Sequence, residues 1–295
     1  MSALLDILKE KRPNLTSSSL NTYESILKSI HRKVFPGEKE IKIESFLDHK
    51  PFLMHLSKTP PNTSKTKLSA LYVLTEKPEY REEMLKNIDR YEQSIKNQTK
   101  TPEQELNWAT PKEIDELLTQ HKREADALYK KTKLTQGNYQ TIQNYILLVL
   151  YSGKYIIPRR SRDYTSFKVN SVNKKTDNFY DGKHFVFNDY KTAKFYDTQK
   201  IPVPPKLKTI IKKWISKIDS ISDYLLFDTQ FKPLNSVKLN QRLNKIFGRK
   251  VSVNALRKSF LSAKFGHTID IKKDLEDTMR DMGSSTAQET IYIKQ

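Results

Sequence analysis

The sequence contains no cysteine, which excludes disulfides, thiolate nucleophiles and cysteine metal ligands and fits a reducing compartment. No apolar run approaches the roughly twenty residues of a membrane-spanning helix. The start, Met1-Ser2-Ala3-Leu4-Leu5-Asp6, lacks the basic-then-apolar order of a secretory signal. A soluble, intracellular protein without a membrane partner is expected. The six histidines, at 31, 49, 55, 121, 184 and 267, are scattered with no pair at a zinc-ligand spacing, so neither a metal nor another cofactor is expected. Acidic residues are missing from whole stretches, with none in 51–75 and none in 229–269.

What is abundant is positive charge. Lys and Arg number 53 against 34 acidic residues, a net charge of +19 over 295 residues. The surplus is uneven, +5 in residues 1–100 and +14 in 101–295. Such an excess favours a polyanionic partner, because each Lys or Arg that meets a phosphate releases condensed counterions.

Hydrophobic periodicity divides the chain in two. Thr16 or Ser17 caps a helix over 16–32, with Leu20, Tyr23, Leu27 and Ile30 on one face. Ile43–Leu56 reads as a second helix. A third begins after Pro60-Pro61 and runs to Leu74, and a fourth aligns Met84, Ile88, Tyr91 and Ile95. The acid-free third segment, with Lys58, Lys65 and Lys67, suits a small helical domain that grips DNA. Polar, aperiodic residues around 101–107 read as a linker between domains 1–100 and 108–295. Thr110, Pro111 and Glu113 then have the spacing of a capping box. A largely apolar helix over 138–152 reads as the centre of the second domain. Asp181-Gly182 predicts a tight hairpin, strands continue through 186–188 and 200–203, and Lys191 falls near the tip of a second hairpin. Helices follow over 207–218, 236–247, 252–264 and 270–282, the last stopped by Gly283. The expected fold class is mainly α with one small antiparallel β-sheet.

Two basic clusters in the second domain stand out. Residues 154–175 carry Lys154, Arg159, Arg160, Arg162, Lys168, Lys174 and Lys175 against the single acid Asp163, and 229–269 carry nine Lys or Arg. By themselves these say only that phosphate is contacted. Their order says more. Arg160 follows the buried helix with Asp163 three residues on, a hairpin Lys comes next, then Asn254-Ala255-Leu256-Arg257-Lys258-Ser259-Phe260, then Met282-Gly283-Ser284-Ser285, with Tyr292 eight residues past Ser284.

This order of parts resembles the catalytic domain of tyrosine recombinases, and the helical domain before it is similar to their core-binding domain. The stretches Pro158-Arg159-Arg160-Ser161-Arg162-Asp163-Tyr164 and Asn188-Asp189-Tyr190-Lys191-Thr192 are similar to integrases of virophages and other large-virus mobile elements. The resemblance covers about residues 14–295. It implies a site-specific recombinase or integrase that cuts and rejoins double-stranded DNA through a 3′-phosphotyrosine, as a dimer to tetramer on DNA. For a virus-encoded chain the place of action would be the host nucleus or a viral factory. The implied catalytic set is Arg160, Lys191, Asn254, Arg257, Ser284 and the nucleophile Tyr292, with Lys58, Lys65, Lys67, Arg159, Arg162 and Lys258 as further DNA contacts. Tyr164, beside the first basic cluster, is the next tyrosine in line should Tyr292 not serve.

The reaction needs these residue types. A phenolate attacks a phosphodiester, and negative charge gathers on the non-bridging oxygens of the transition state. Two guanidiniums hold that charge by paired hydrogen bonds, a Lys can protonate the leaving 5′ oxygen, and the covalent intermediate conserves the bond energy for rejoining. Two positions depart from the family: Asn254 stands where a His is usual, and Ser284 where a His or Trp is usual. Only Ile293, Lys294 and Gln295 follow Tyr292, without the tail helix that many relatives exchange between subunits, so either another contact is expected to join the subunits or the tail was cut. A type IB topoisomerase with the same chemistry, and a DNA-binding protein with a decayed recombinase site, stand as alternatives.

Overall fold

The computed structural model describes residues 3–38, 40–96 and 100–284. Within them the chain is mainly helical, with one three-stranded antiparallel sheet. It divides into two compact units, Met1–Lys100 and Thr101–Gln295.

The first unit is built from helices α1 (Ala3–Lys11), α2 (Ser17–Val34), α3 (His49–Leu56), α4 (Pro61–Thr75) and α5 (Pro78–Lys96). The Thr16 hydroxyl caps α2 by accepting from the Ser19 amide at 3.3 Å. The stretch 43–56, read from sequence as one helix, is a 3-10 turn over Ile43–Leu47 followed by α3. Pro51 is the reason. In one continuous helix its ring would meet the carbonyl of Leu47 and a backbone hydrogen bond would be lost. The chain instead restarts at Asp48, whose carboxylate accepts from the Lys50 amide at 3.1 Å, leaving Pro51 in a first turn where its missing N–H is harmless. Helix α1, absent from the sequence reading, buries Leu4 and Leu8 one turn apart. The core gathers Leu8, Leu27, Phe46, Phe52, Leu68, Leu71 and Tyr80, with the Tyr80 hydroxyl donating to the Phe46 carbonyl at 2.9 Å.

The second unit opens with α6 (Pro102–Leu106), inside the stretch read as a linker. Thr101 and Gln104 close a full capping box and Pro102 occupies the first turn, so five residues suffice for a helix without apolar periodicity. Helix α7 (Pro111–Tyr129) starts at Thr110, whose hydroxyl accepts from the Glu113 amide at 3.2 Å. The Glu113 carboxylate meanwhile binds both terminal nitrogens of Arg249, a tertiary contact that no local pattern announces.

Helix α8 (Gln136–Tyr151) is the centre, with every residue from Tyr145 to Tyr151 buried. Residues of α9 (Ser161–Thr165), α11 (Pro205–Ile218), α12 (Ser236–Phe247) and α13 (Val253–Phe265) share its core, and α14 (Thr268–Asp281) follows in the chain. Trp214 of α11 stacks on Phe227 and donates to the Leu225 carbonyl at 2.9 Å. The sheet has the order β1 (Phe179–Tyr180), β2 (His184–Phe187), β3 (Gln199–Pro202), with Tyr180 opposite Phe185 and Phe187 opposite Gln199. Asp181 accepts from the amides of Lys183 and His184, and Gly182 takes the positive φ of 91° that this tight turn needs. Tyr164, Phe167, Phe185 and Phe187 pack ring against ring beneath the sheet. Helix α14 ends at Gly283, φ 72°, with the Ser284 amide bonded to the Met279 carbonyl and the Gly283 amide to that of Arg280, the double closure of a Schellman cap.

Candidate active site

The segment that leaves α8 is seated directly on α13. Gly153 has a φ of 75°, and a Cβ there would overlap the Phe260 ring. Phe260 lies one turn beyond Arg257, so this contact brings the chain that leads to Arg160 against the helix that carries Arg257. Gly153→Ala is expected to destabilise the second unit by roughly 1–3 kcal/mol, the usual range for overpacking. Phe260→Ala in the same chain should recover part of the loss, which a denaturant double-mutant cycle measures.

Arg160 and Arg257, far apart in sequence, line one pocket of about 290 Å³ together with Pro158, Asp163, Tyr190, Thr192 and Gln199. Arg160 is the residue before α9, in extended conformation with φ −68° and ψ 155°, so its side chain is not drawn into the helix face. Among the described residues no hydrogen bond or ion pair holds the Arg160 guanidinium. Arg257 Nη1 has one long bond, 3.4 Å, to the Asn254 side-chain oxygen. Two half-buried guanidiniums with free donors therefore face one small cavity, an arrangement suited to an anion with several acceptor oxygens.

Asp163 lies beneath them and is buried. Burial raises its carboxyl above the usual carboxylate range, and Arg159, Arg160 and Arg257 oppose that shift. Its ion-pair partner is Arg159 and not Arg160: Arg159 Nε donates to Asp163 Oδ2 at 2.7 Å. Arg159 also donates to Gln199 Oε1 at 2.8 Å and covers the Phe187 ring at 3.9 Å from its centroid. Arg159, placed by sequence among the DNA contacts, thus ties α9 to β3 and the aromatic cluster. Removing the carboxylate strands this buried charge, so Asp163→Ala is expected to cost about 3–5 kcal/mol of stability in urea denaturation. The raised carboxyl shows that burial outweighs pairing here, so the loss would measure the stranded arginine more than the worth of the pair.

The other sequence-selected residues are spread around the pocket. Lys191 is exposed in the 188–198 connection between β2 and β3, with Tyr190 and Thr192 on either side lining the pocket. Asn254 is exposed and, with Lys258, Lys250 and Trp108, lines a neighbouring depression at the start of α13. Arg162 pairs with Asp189 at 2.6 Å, both more than half exposed, an interaction of little energetic worth. Ser284 is half-buried at the cap of α14. Tyr292 lies outside the described residues.

Tyr164 is corrected by the structure. It is fully buried, its hydroxyl has no hydrogen-bond partner among the described residues, and burial pushes its ionisation far above the ordinary phenol. A phenol in that position does not reach DNA. The exposed tyrosine that lines the pocket is Tyr196, on a single helical turn, α10 (Ala193–Tyr196), beside Phe195, which is 81% exposed. The sequence signal was there, an aromatic pair in an otherwise polar connection, but nothing local distinguishes a rim from a core.

In the first unit, Lys58 and Lys67 come together with Lys33 and His55, two residues the sequence reading did not single out. Burial lowers the His55 imidazole first, followed by Lys67, Lys33 and Lys58, and burial with Lys33 lowers Lys67. Lys65 points elsewhere, with its ammonium 3.9 Å from the Tyr91 ring centroid.

No protein-family model matches this chain, and no curated protein matches it. Among solved structures it is similar to the crystal structure of XerA recombinase, with a TM-score of 0.37 and 12% identity over 88% of this chain and 82% of that one.

Proposed function

We propose that this protein is a DNA strand transferase of the tyrosine-recombinase type. The observation that carries the reading is the shared pocket of Arg160 and Arg257. Two guanidiniums whose donors are largely unsatisfied among the described residues, set against a small cavity, suit a phosphodiester whose non-bridging oxygens gain charge during transfer.

In this reading the Tyr292 oxygen attacks phosphorus, the bond to the 5′ oxygen breaks, and a 3′-phosphotyrosyl bond forms. Lys191, exposed beside the pocket, supplies the proton that the departing 5′ oxygen takes up. Asn254 supports Arg257 through its side-chain oxygen, and Ser284 donates to the phosphate region. The cations of the first unit, Lys33, Lys58 and Lys67 with His55, hold the duplex by its backbone. Burial first and their mutual repulsion second lower His55 and Lys67, and phosphates lying among them relieve the repulsion. Two to four copies act together on DNA, in a virus-derived mobile element.

The test is covalent trapping. Duplexes selected from a random pool for binding are nicked near the bound site, incubated with the protein in EDTA, and resolved on denaturing gels. An adduct that survives denaturation supports the reading. Firm binding without any adduct would instead mark a DNA-binding protein whose recombinase site has decayed, a reading that Asn254 favours because an amide does not exchange protons near neutral pH.

A further inference from the structure

Arg242 of α12 has its Nη1 buried with no hydrogen-bond partner among the described residues. Burial lowers this guanidinium to about 10, with Asp228 acting in the opposite direction, so it remains charged at neutral pH. The Asp228 carboxylate is already occupied. It accepts from Lys238 Nζ at 2.7 Å and from the amides of Gln230 and Lys232 at 2.8 and 3.1 Å. A guanidinium nitrogen buried without a partner, beside a carboxylate already engaged by other donors, is a costly feature for a fold to keep.

The surroundings explain why it is kept. Lys238, Gln241, Arg242 and Lys245 recur at helical spacing and so share one face of α12. With Asp228 and Thr229 they line a pocket of about 430 Å³. Three cations against one engaged carboxylate leave the pocket positive. Among the described residues no aromatic side chain lines it, so these offer no stacking surface for a base or another planar ring. Its donors are a guanidinium, two ammonium groups, the side-chain amides of Gln241 and Asn244 and a hydroxyl, a set that matches the tetrahedral oxygens of a phosphate.

We propose that this pocket is a second phosphate-binding site, with Arg242 as its central ligand and Lys238, Lys245 and Gln241 around it. It shares no residue with the Arg160–Arg257 pocket, and it stands whether or not the strand-transfer reading holds. The phosphate can come from a DNA backbone or from a free phosphorylated small molecule.

The experiment uses the full chain carrying Arg160→Ala and Arg257→Ala, which removes the first pocket. Calorimetric titration with inorganic phosphate is expected to show one saturable site, and adding Arg242→Gln to raise its dissociation constant at least about tenfold. Lys245→Gln, at an exposed position, should weaken the site to a smaller degree and gives a reading if the Arg242 variant does not fold. In parallel, duplex DNA binding is measured across salt concentrations with and without Arg242→Gln. Weakened phosphate binding with a salt slope lower by about one assigns the site to the DNA backbone. Weakened phosphate binding with an unchanged slope assigns it to a free phosphorylated ligand. If neither Arg242→Gln nor Lys245→Gln changes phosphate affinity or the slope, the proposal is overturned.

Discussion

Arg160→Ala and Arg257→Ala are each expected to slow covalent adduct formation by about a thousandfold to a hundred-thousandfold, the range seen when an arginine that stabilises a transferring phosphoryl group is lost. Duplex affinity should fall by less than about tenfold, because one phosphate contact among many contributes little to binding. Under the proposed function the difference arises because these guanidiniums would act on charge that develops during transfer. Among the described residues neither is committed to a carboxylate, whereas the adjacent Arg159 is held by Asp163 and Gln199. Arg159→Ala should therefore act chiefly on stability. The double variant of Arg160 and Arg257 should be little worse than either single one, since residues acting on one phosphate work as a unit. Single-turnover trapping beside filter binding checks all of this. Equal losses of binding and cleavage would make the two arginines ordinary phosphate anchors.

Tyr292→Phe is expected to abolish the adduct altogether and to leave DNA affinity within about twofold of the parent, as one hydroxyl is minor among the phosphate contacts. If adduct persists in Tyr292→Phe, the nucleophile is another phenol. Tyr196 is then the residue to change, since it is exposed and lines the arginine pocket, while Tyr164 is enclosed by Tyr151, Phe167, Phe185 and Phe187. Loss of the adduct in Tyr292→Phe, together with its survival in Tyr196→Phe, would assign the attack to Tyr292.

Much of the architecture was legible because it is local. Apolar spacing at 3.6 residues marked α2, α4, α5, α8, α11 and α12, and Asp181-Gly182 marked the hairpin. Gly283 marked the end of α14, where the structure has the double-bonded cap. Where local patterns competed, reading them singly failed. Ile43–Leu56 has helical periodicity throughout, yet Pro51 and the capping carboxylate of Asp48 divide it. Pro102–Leu106 has no periodicity, yet the Thr101–Gln104 box makes it helical.

At the candidate site, Arg160 and Arg257 were singled out by the resemblance to tyrosine recombinases, and the chemistry proposed for them, charge concentrated on phosphate oxygens, calls for permanent cations. The two arginines meet in one pocket, and Gly153 lies against Phe260 nearby, a contact between segments remote in the chain. The identity of the Asp163 partner, the burial of Tyr164, the exposure of Tyr196 and the convergence of Lys33, His55, Lys58 and Lys67 belong to the same class of facts. The amino-acid order by itself determined the helices, the hairpin and the chemistry available, because hydrogen bonding within a helix or turn and the charge of a side chain are properties of neighbouring residues. Only the tertiary structure decided which arginine is tied down and which is free, because burial and pairing are set by what other segments place around a side chain.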